Sequence, residues 1–276
     1  MLRSFRSTLP DAGLEGLPAD SGVEEALARR PDAVIVATPT ARHLDAAVPA
    51  ARAGCWILIE KPISDSLEGV EQLRAAAGVL LGYQFRFHPG LRRLRHEICS
   101  GAIGSPLRAT VEWGEYLPSW HPWEDYLQGY AARRDLGGGV ILTLCHPFDY
   151  LRWIFGEIET VLAGTANTGQ LGIEVEDTAD IDIQFRSGVG ARVHLDYLAR
   201  PARHRLSVTG TAGSLAWDAM DGKVDRETLF RDQMRHFLAC VEGREQPACT
   251  LDDGIAALRI ALAAKHSAAE GSPYVL

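Results

Sequence analysis

Three short apolar runs most constrain how this chain can fold. They are Ala33-Val34-Ile35-Val36-Ala37, Trp56-Ile57-Leu58-Ile59 and Val79-Leu80-Leu81-Gly82-Tyr83. A run without polar alternation suits a strand covered on both faces, as in a parallel sheet. Helical stretches separate the runs. Ser21-Gly22-Val23-Glu24 has capping-box spacing and opens a helix to about Arg30. After Thr38-Pro39, a second helix extends to Ala53, with Thr40 as its cap, Gly54 as its stop and a kink at Pro49. A third runs from about Leu67 to Ala77 and ends at Gly78. Strands alternating with helices predict a doubly wound parallel α/β sheet. Ligands of such sheets bind at the C-terminal strand ends, where Thr38-Pro39, Glu60-Lys61 and Tyr83-Gln84 fall.

Beyond Gln84 the rhythm changes. A helix is expected over about 89–99 and an alternating strand over 107–116. An aromatic loop follows, with Trp120, His121, Trp123, Tyr126 and Tyr130. Gly137-Gly138-Gly139 then precedes one helix carrying Ile141, Cys145, Phe148, Leu151 and Phe155 on one face. The triple glycine follows no parallel strand, so it serves close backbone approach rather than phosphate binding. Residues 179–185 and 189–197 alternate with period two around Ser187-Gly188, which predicts a hairpin. Gly210-Thr211-Ala212-Gly213 joins two further strands, and helices near 229–241 and 252–266 close the chain. The division is thus residues 1–84, a partial Rossmann unit, and 85–276, an α+β domain with a mostly antiparallel open sheet. The last helix is able to pack back on the first unit.

Composition narrows the partners. Lys plus Arg is 28 and Asp plus Glu is 36, a net charge of −8. That balance lacks the field that draws proteins to nucleic acid or anionic lipid. No apolar run approaches the ~20 residues of a membrane span, and the basic start MLRSFRSTLP has no apolar core of a secretory signal. Cys55, Cys99, Cys145, Cys240 and Cys249 are scattered without a C-x-x-C, which suits reduced thiols in a cytoplasm. Neither they nor His121 have metal-ligand spacing, so no metal is expected.

The strings ATPTARH (37–43), EKP (60–62), GYQFRFHP (82–89) and GGGVILTLCHPFDYLRWIFG (137–156) resemble the Gfo/Idh/MocA family of glucose–fructose oxidoreductase and inositol dehydrogenase relatives. The likeness extends to EDTADIDIQFRSG (176–188) and TGTAGSLAWD (209–218). It implies NAD(P)-linked hydride transfer to or from a small carbohydrate-like substrate, a sugar, sugar acid or cyclitol, in a homo-oligomer. Alcohol oxidation needs a proton acceptor and a positive group beside the developing oxyanion. The resemblance makes Lys61 and His146 the catalytic pair. It points to Asp149, Arg86, Trp120, Trp123 and Thr143 for substrate, and to Thr38, Pro39, Thr40, His43, Glu60, Lys61 and Gln84 for cofactor. Arg200, Arg203 and Arg205 are able to grip an anion, though a solvated strand edge explains them equally.

Two departures stand out. No Gly-x-Gly-x-x-Gly occurs, although this string lets a pyrophosphate meet backbone N–H groups at a helix N-terminus. The expectation is therefore a start assigned too late, with strand, glycine loop and helix encoded upstream, or else a decayed gene. In the order 3-2-1-4-5-6 the missing strand is central, which leaves Ala33–Ala37 as an exposed edge. Arg3, Ser4, Arg6 and Ser7 then fall where the adenosine ribose lies and favour NADP over NAD. The second departure lies before His146, where relatives often carry an Asp and this chain has Leu142 and Thr143. Both losses also suit a second reading, a non-catalytic member that binds sugar or joins subunits.

Overall fold

The computed structural model describes residues 20–222 and 224–276. In chain order its elements are α1 (Val23–Ala28), β1 (Ala33–Val36), α2 (His43–Arg52), β2 (Trp56–Ile59), β3 (Gly78–Leu81), α3 (Pro89–Cys99), β4 (Pro106–Gly114), α4 (Val140–Thr143), α5 (His146–Phe155), β5 (Ile158–Ala166), β6 (Thr178–Phe185), β7 (Gly190–Asp196), β8 (Arg203–Gly210), β9 (Ser214–Asp218), α6 (Arg226–Val241), α7 (Leu251–Glu270) and β10 (Tyr274–Val275). Short 3-10 turns occupy Thr40–Arg42, Val70–Ala75 and Gln84–Phe87, and four more lie between Leu117 and Leu136.

The three apolar runs form one parallel sheet in the order β1-β2-β3. Ile57, Ile59, Leu80 and Leu81 are fully buried in it, as continuous apolar strands require. Among the described residues β1 pairs only with β2, and Ile35 on it is 51% exposed. Local details depart from the sequence expectations. Thr40 makes no capping bond, and α2 begins one 3-10 turn later and continues through Pro49. The capping box does not form: Ser21 donates its N–H and hydroxyl to the Glu25 carboxylate, and the N-cap is Gly22, without a side-chain cap bond. The expected helix at 67–77 is reduced to a 3-10 turn, because Gly69 at φ 77° breaks the helical path before Val70. Gly78 opens β3 instead of ending a helix, and a Cβ there would meet the Trp56 ring at 2.2 Å.

The second sheet has seven strands in the order β10-β5-β6-β7-β4-β8-β9. Only β4 and β7 pair in parallel; the other pairs are antiparallel. Alternation places Ile181, Ile183, Phe185, Val193, Leu195, Val111, Leu206 and Val208 in the core. The opposite face is charged, with ion pairs Asp182–Arg192, Asp180–His194 and Arg205–Asp218. Helix α7 lies on β5 and also touches β3, and a Cβ on its Gly254 would strike the Leu81 side chain at 2.5 Å. One contiguous core runs from Val34 through both sheets to Ala264.

The helix expected after the triple glycine is broken at Leu144–Cys145 into α4 and α5. Its apolar period continues across the break, which is why the sequence reads as one helix. Pro147 forces the interruption: it has no N–H for the Thr143 carbonyl, and its ring would clash with that carbonyl in a continuous helix. The three glycines ahead of it do allow close approach. A Cβ on Gly137 would meet Thr40 and Asp65 at 2.9–3.1 Å, and one on Gly138 would lie 2.5–2.7 Å from three carbonyl oxygens.

Candidate active site

Where the C-terminal ends of β2 and β3 meet the second sheet, a cavity of about 540 Å³ opens. Its wall includes Lys61, Gln84, Phe85, His88, Trp113 and Trp120 together with Thr143, His146, Arg200 and Arg226. The break between α4 and α5 positions the lysine. The Thr143 carbonyl has no N–H at residue 147 to receive, and Lys61 Nζ donates to it instead at 2.7 Å. Burial works against the Lys61 charge, but Tyr130, Cys145 and Glu60 outweigh it and hold the ammonium above the ordinary lysine range. Lys61 is therefore placed to act as a cation.

His146 begins α5 and is buried. Its ring meets Phe85 edge-on at 4.7 Å and Tyr83 at 5.4 Å. Burial, reinforced by the Lys61 charge, pulls its pKa well below the ordinary histidine value. It is neutral near pH 7 and able to accept a proton. A cation beside a neutral imidazole divides the roles that alcohol oxidation needs.

Several side chains in this wall keep a buried polar atom without a protein partner. They are Gln84 Oε1, His88 Nε2, Trp120 Nε1, Thr143 Oγ1 and His146 Nδ1. Such atoms cost roughly 1–3 kcal/mol each when left unsatisfied, so their convergence marks a place built for a polar ligand. The aromatic faces of Phe85, Trp113 and Trp120 suit the C–H faces of a ring bearing hydroxyls.

Not every expected site residue reaches this cavity. Arg86 and Asp149 are both buried, with Arg86 Nη2 and Nε binding the Asp149 carboxylate at 2.6–3.1 Å. Arg86 also donates to the Ala248 carbonyl and pairs with Asp253, which in turn holds Arg152. Arg86 and Asp149, both read for substrate, thus satisfy each other, and neither lines the cavity. Trp123, also read for substrate, is 55% exposed and packs on His121, outside the wall. Arg203 and Arg205 pair with Asp196 and Asp218, whereas Arg200 stays in the wall with its guanidinium 3.9 Å from the Tyr116 ring centre.

Of the expected cofactor residues, Lys61 and Gln84 line the cavity. Thr38, Pro39 and Thr40 form the adjoining loop after β1 and do not line it. His43 braces that loop from behind, with Nε2 2.9 Å from the Thr38 carbonyl and Nδ1 2.9 Å from the Pro62 carbonyl. Glu60 lies next to Lys61 but outside the cavity wall, and burial raises its pKa against the pull of Lys61. Arg3, Ser4, Arg6 and Ser7 lie outside the described residues. Sequence reasoning missed His88, Phe85, Trp113 and Arg226. Phe85 and His88 sit inside the quoted string at 82–89, and the His-Pro step at a helix start was the available signal for His88.

The chain is similar to known proteins over both sheets. Residues 11–79 match the model of an oxidoreductase family with an NAD-binding Rossmann fold, and residues 91–216 match the GFO/IDH/MocA C-terminal domain. The 1,5-anhydro-D-fructose reductase of Ensifer adhaerens is 32% identical over 266 residues, covering 87% of this chain and 78% of that protein. The scyllo-inositol 2-dehydrogenase (NAD(+)) of Bacillus subtilis is 27% identical over 287 residues, covering 89% and 78%. Among solved structures, the WlbA dehydrogenase from Bordetella pertussis, in complex with NADH and UDP-GlcNAcA, superposes with a TM-score of 0.82 at 23% identity, covering 94% and 84%.

Proposed function

The chain belongs to the Gfo/Idh/MocA family of NAD(P)-binding oxidoreductases, and from that premise we propose that its cavity exchanges a hydride between nicotinamide and one carbon of a sugar, sugar acid or cyclitol. The observation that carries this reading is the gathering of unpartnered donors and acceptors around Lys61 and His146. A hydroxyl both donates and accepts, so a polyol satisfies such a mixed set.

The residues present suit the nicotinamide half of the cofactor. Gln84 Oε1 at the end of β3 and Thr38 Oγ1 at the end of β1 are buried without partners, at the strand ends where dinucleotides bind. Gln84, Lys61 and Thr38 would hold that half, and the bound cofactor supplies the hydride acceptor. The described residues contain no Gly-x-Gly-x-x-Gly, and no pyrophosphate contact is assigned to them. Lys61 holds the substrate oxygen and stabilises negative charge on it, while His146 takes the hydroxyl proton. The surrounding rings exclude water and strengthen both interactions.

NADP is favoured over NAD by Arg3, Ser4, Arg6 and Ser7. A cytoplasmic location follows the scattered cysteines, and a homo-oligomer fits the open charged face of the seven-stranded sheet. Fluorescence titration with NADPH and NADH, followed by turnover of 1,5-anhydro-D-fructose, myo-inositol and D-xylose, tests the reading. Micromolar cofactor binding with turnover of one compound is expected. A folded chain that binds neither cofactor would refute it.

A further inference from the structure

Two donors converge on one ring nitrogen of the cavity wall. His88 Nδ1 accepts from the Gly90 N–H at 3.1 Å and from the Trp217 Nε1–H at 3.1 Å. The arrangement is built by three elements. His88 is the N-cap of α3, Gly90 lies in its first turn, and Trp217 reaches over from β9. A Cβ on Gly90 would come within 3.0–3.2 Å of Trp217 and the His88 ring, so a larger residue there would press on both. Trp217 also meets the ring edge-on at 5.1 Å.

With two N–H groups directed at it, Nδ1 cannot carry a proton of its own. The proton of the neutral ring is then on Nε2. Burial favours that neutral form against the nearby Asp221 carboxylate, lowering the pKa. His88 is 4% exposed and lines the cavity, and its Nε2 is buried with no protein acceptor. The mechanism above gives this N–H no task.

We propose that His88 is a substrate-binding residue whose fixed Nε2–H donates a hydrogen bond to an oxygen of the sugar or cyclitol. This deepens the oxidoreductase reading and rests on it. The donor is neutral and cannot turn into an acceptor, because tautomer exchange would set Nδ1–H against two other N–H groups. It selects substrates with a hydroxyl, carbonyl or ring oxygen at that place and rejects deoxy analogues. Trp120 Nε1–H, also buried without a partner in the same wall, is a second donor of this kind.

Two substitutions separate this role from the cap. His88→Asn keeps an acceptor near Nδ1 for Gly90 and Trp217 but has nothing at the Nε2 position. His88→Gln places an amide N–H near that position. The probes are 1,5-anhydro-D-fructose with NADPH and myo-inositol with NAD. For the probe that is turned over, H88N is expected to raise KM about fivefold to tenfold, with kcat, the cofactor Kd and Tm close to those of the parent. H88Q is expected to recover most of the KM. Long-range ¹H–¹⁵N spectra of the labelled full chain at neutral pH should show the Nε2–H tautomer. An unchanged KM in H88N, or a proton on Nδ1, would overturn the proposal. Turnover of neither probe by the parent chain would count against the substrate reading instead, while the nitrogen spectrum would still decide whether the donor is fixed.

Discussion

Single side chains in this protein divide into those waiting for a ligand and those already spent on one another. Lys61 belongs to the first group, held by a main-chain carbonyl and facing the cavity. Lys61→Met should lower kcat by roughly 10²–10³ and weaken cofactor binding, with Tm little changed, as steady-state kinetics, cofactor titration and thermal melts can check. Arg86 belongs to the second. Arg86→Met leaves Asp149 buried and uncompensated, and should cost about 3–5 kcal/mol in urea unfolding. The double variant with Asp149→Asn should lose less than Arg86→Met alone. Spacing along α5 places Asp149 three residues after His146 but is silent on the partner that arrives from residue 86. Chemistry read from one stretch of chain therefore anticipates His146 in the cavity wall but not the Arg86–Asp149 pair. Lys61 was legible because strand ends in parallel sheets are a general address for ligands.

At the level of elements, strands were the easier part to read. Continuous runs gave β1, β2 and β3, and period-two alternation gave β6 and β7, because each pattern has one physical meaning in a covered or half-covered sheet. The helix after the triple glycine was misread as continuous, since its apolar stripe passes through the break at Leu144–Cys145 unaltered. Pro147 was the signal that should have divided it. Pro147→Ala restores an N–H that competes with Lys61 for the Thr143 carbonyl. The expected outcome is a kcat roughly tenfold lower with cofactor Kd unchanged, measured by single-turnover kinetics and fluorescence titration. Thr143→Ala, which spares the carbonyl, should not reproduce the loss of the lysine anchor.

Across the whole molecule, histidines set opposite limits on stability. Burial drives His204, stacked on Trp113 at 4.2 Å, down to about 3. The unfolded chain then binds its proton more readily. The stability His204 contributes is full above about pH 6.5 and is lost as pH falls toward 3. His194 runs the other way. Hydrogen bonds to Asp196, with Asp180 adding to them against burial, raise it to about 9. Its contribution is full below about pH 6.5 and disappears as pH rises through 9. Tm should therefore fall on both sides of a slightly acid optimum. His194→Gln should flatten the alkaline limb. Melts from pH 4 to 10 would show this, and parallel alkaline limbs in parent and variant would exclude His194 as the cause.

The break that frees the Thr143 carbonyl also bears on how such a site can diverge. The atom that holds Lys61 is common to every amino acid, so the residue type at 143 is free to follow the substrate while the anchor persists. The burden of keeping it moves to position 147, where proline alone lacks the competing N–H. A library saturated at both positions and selected for activity on different polyols should thus diversify at 143 and stay proline at 147.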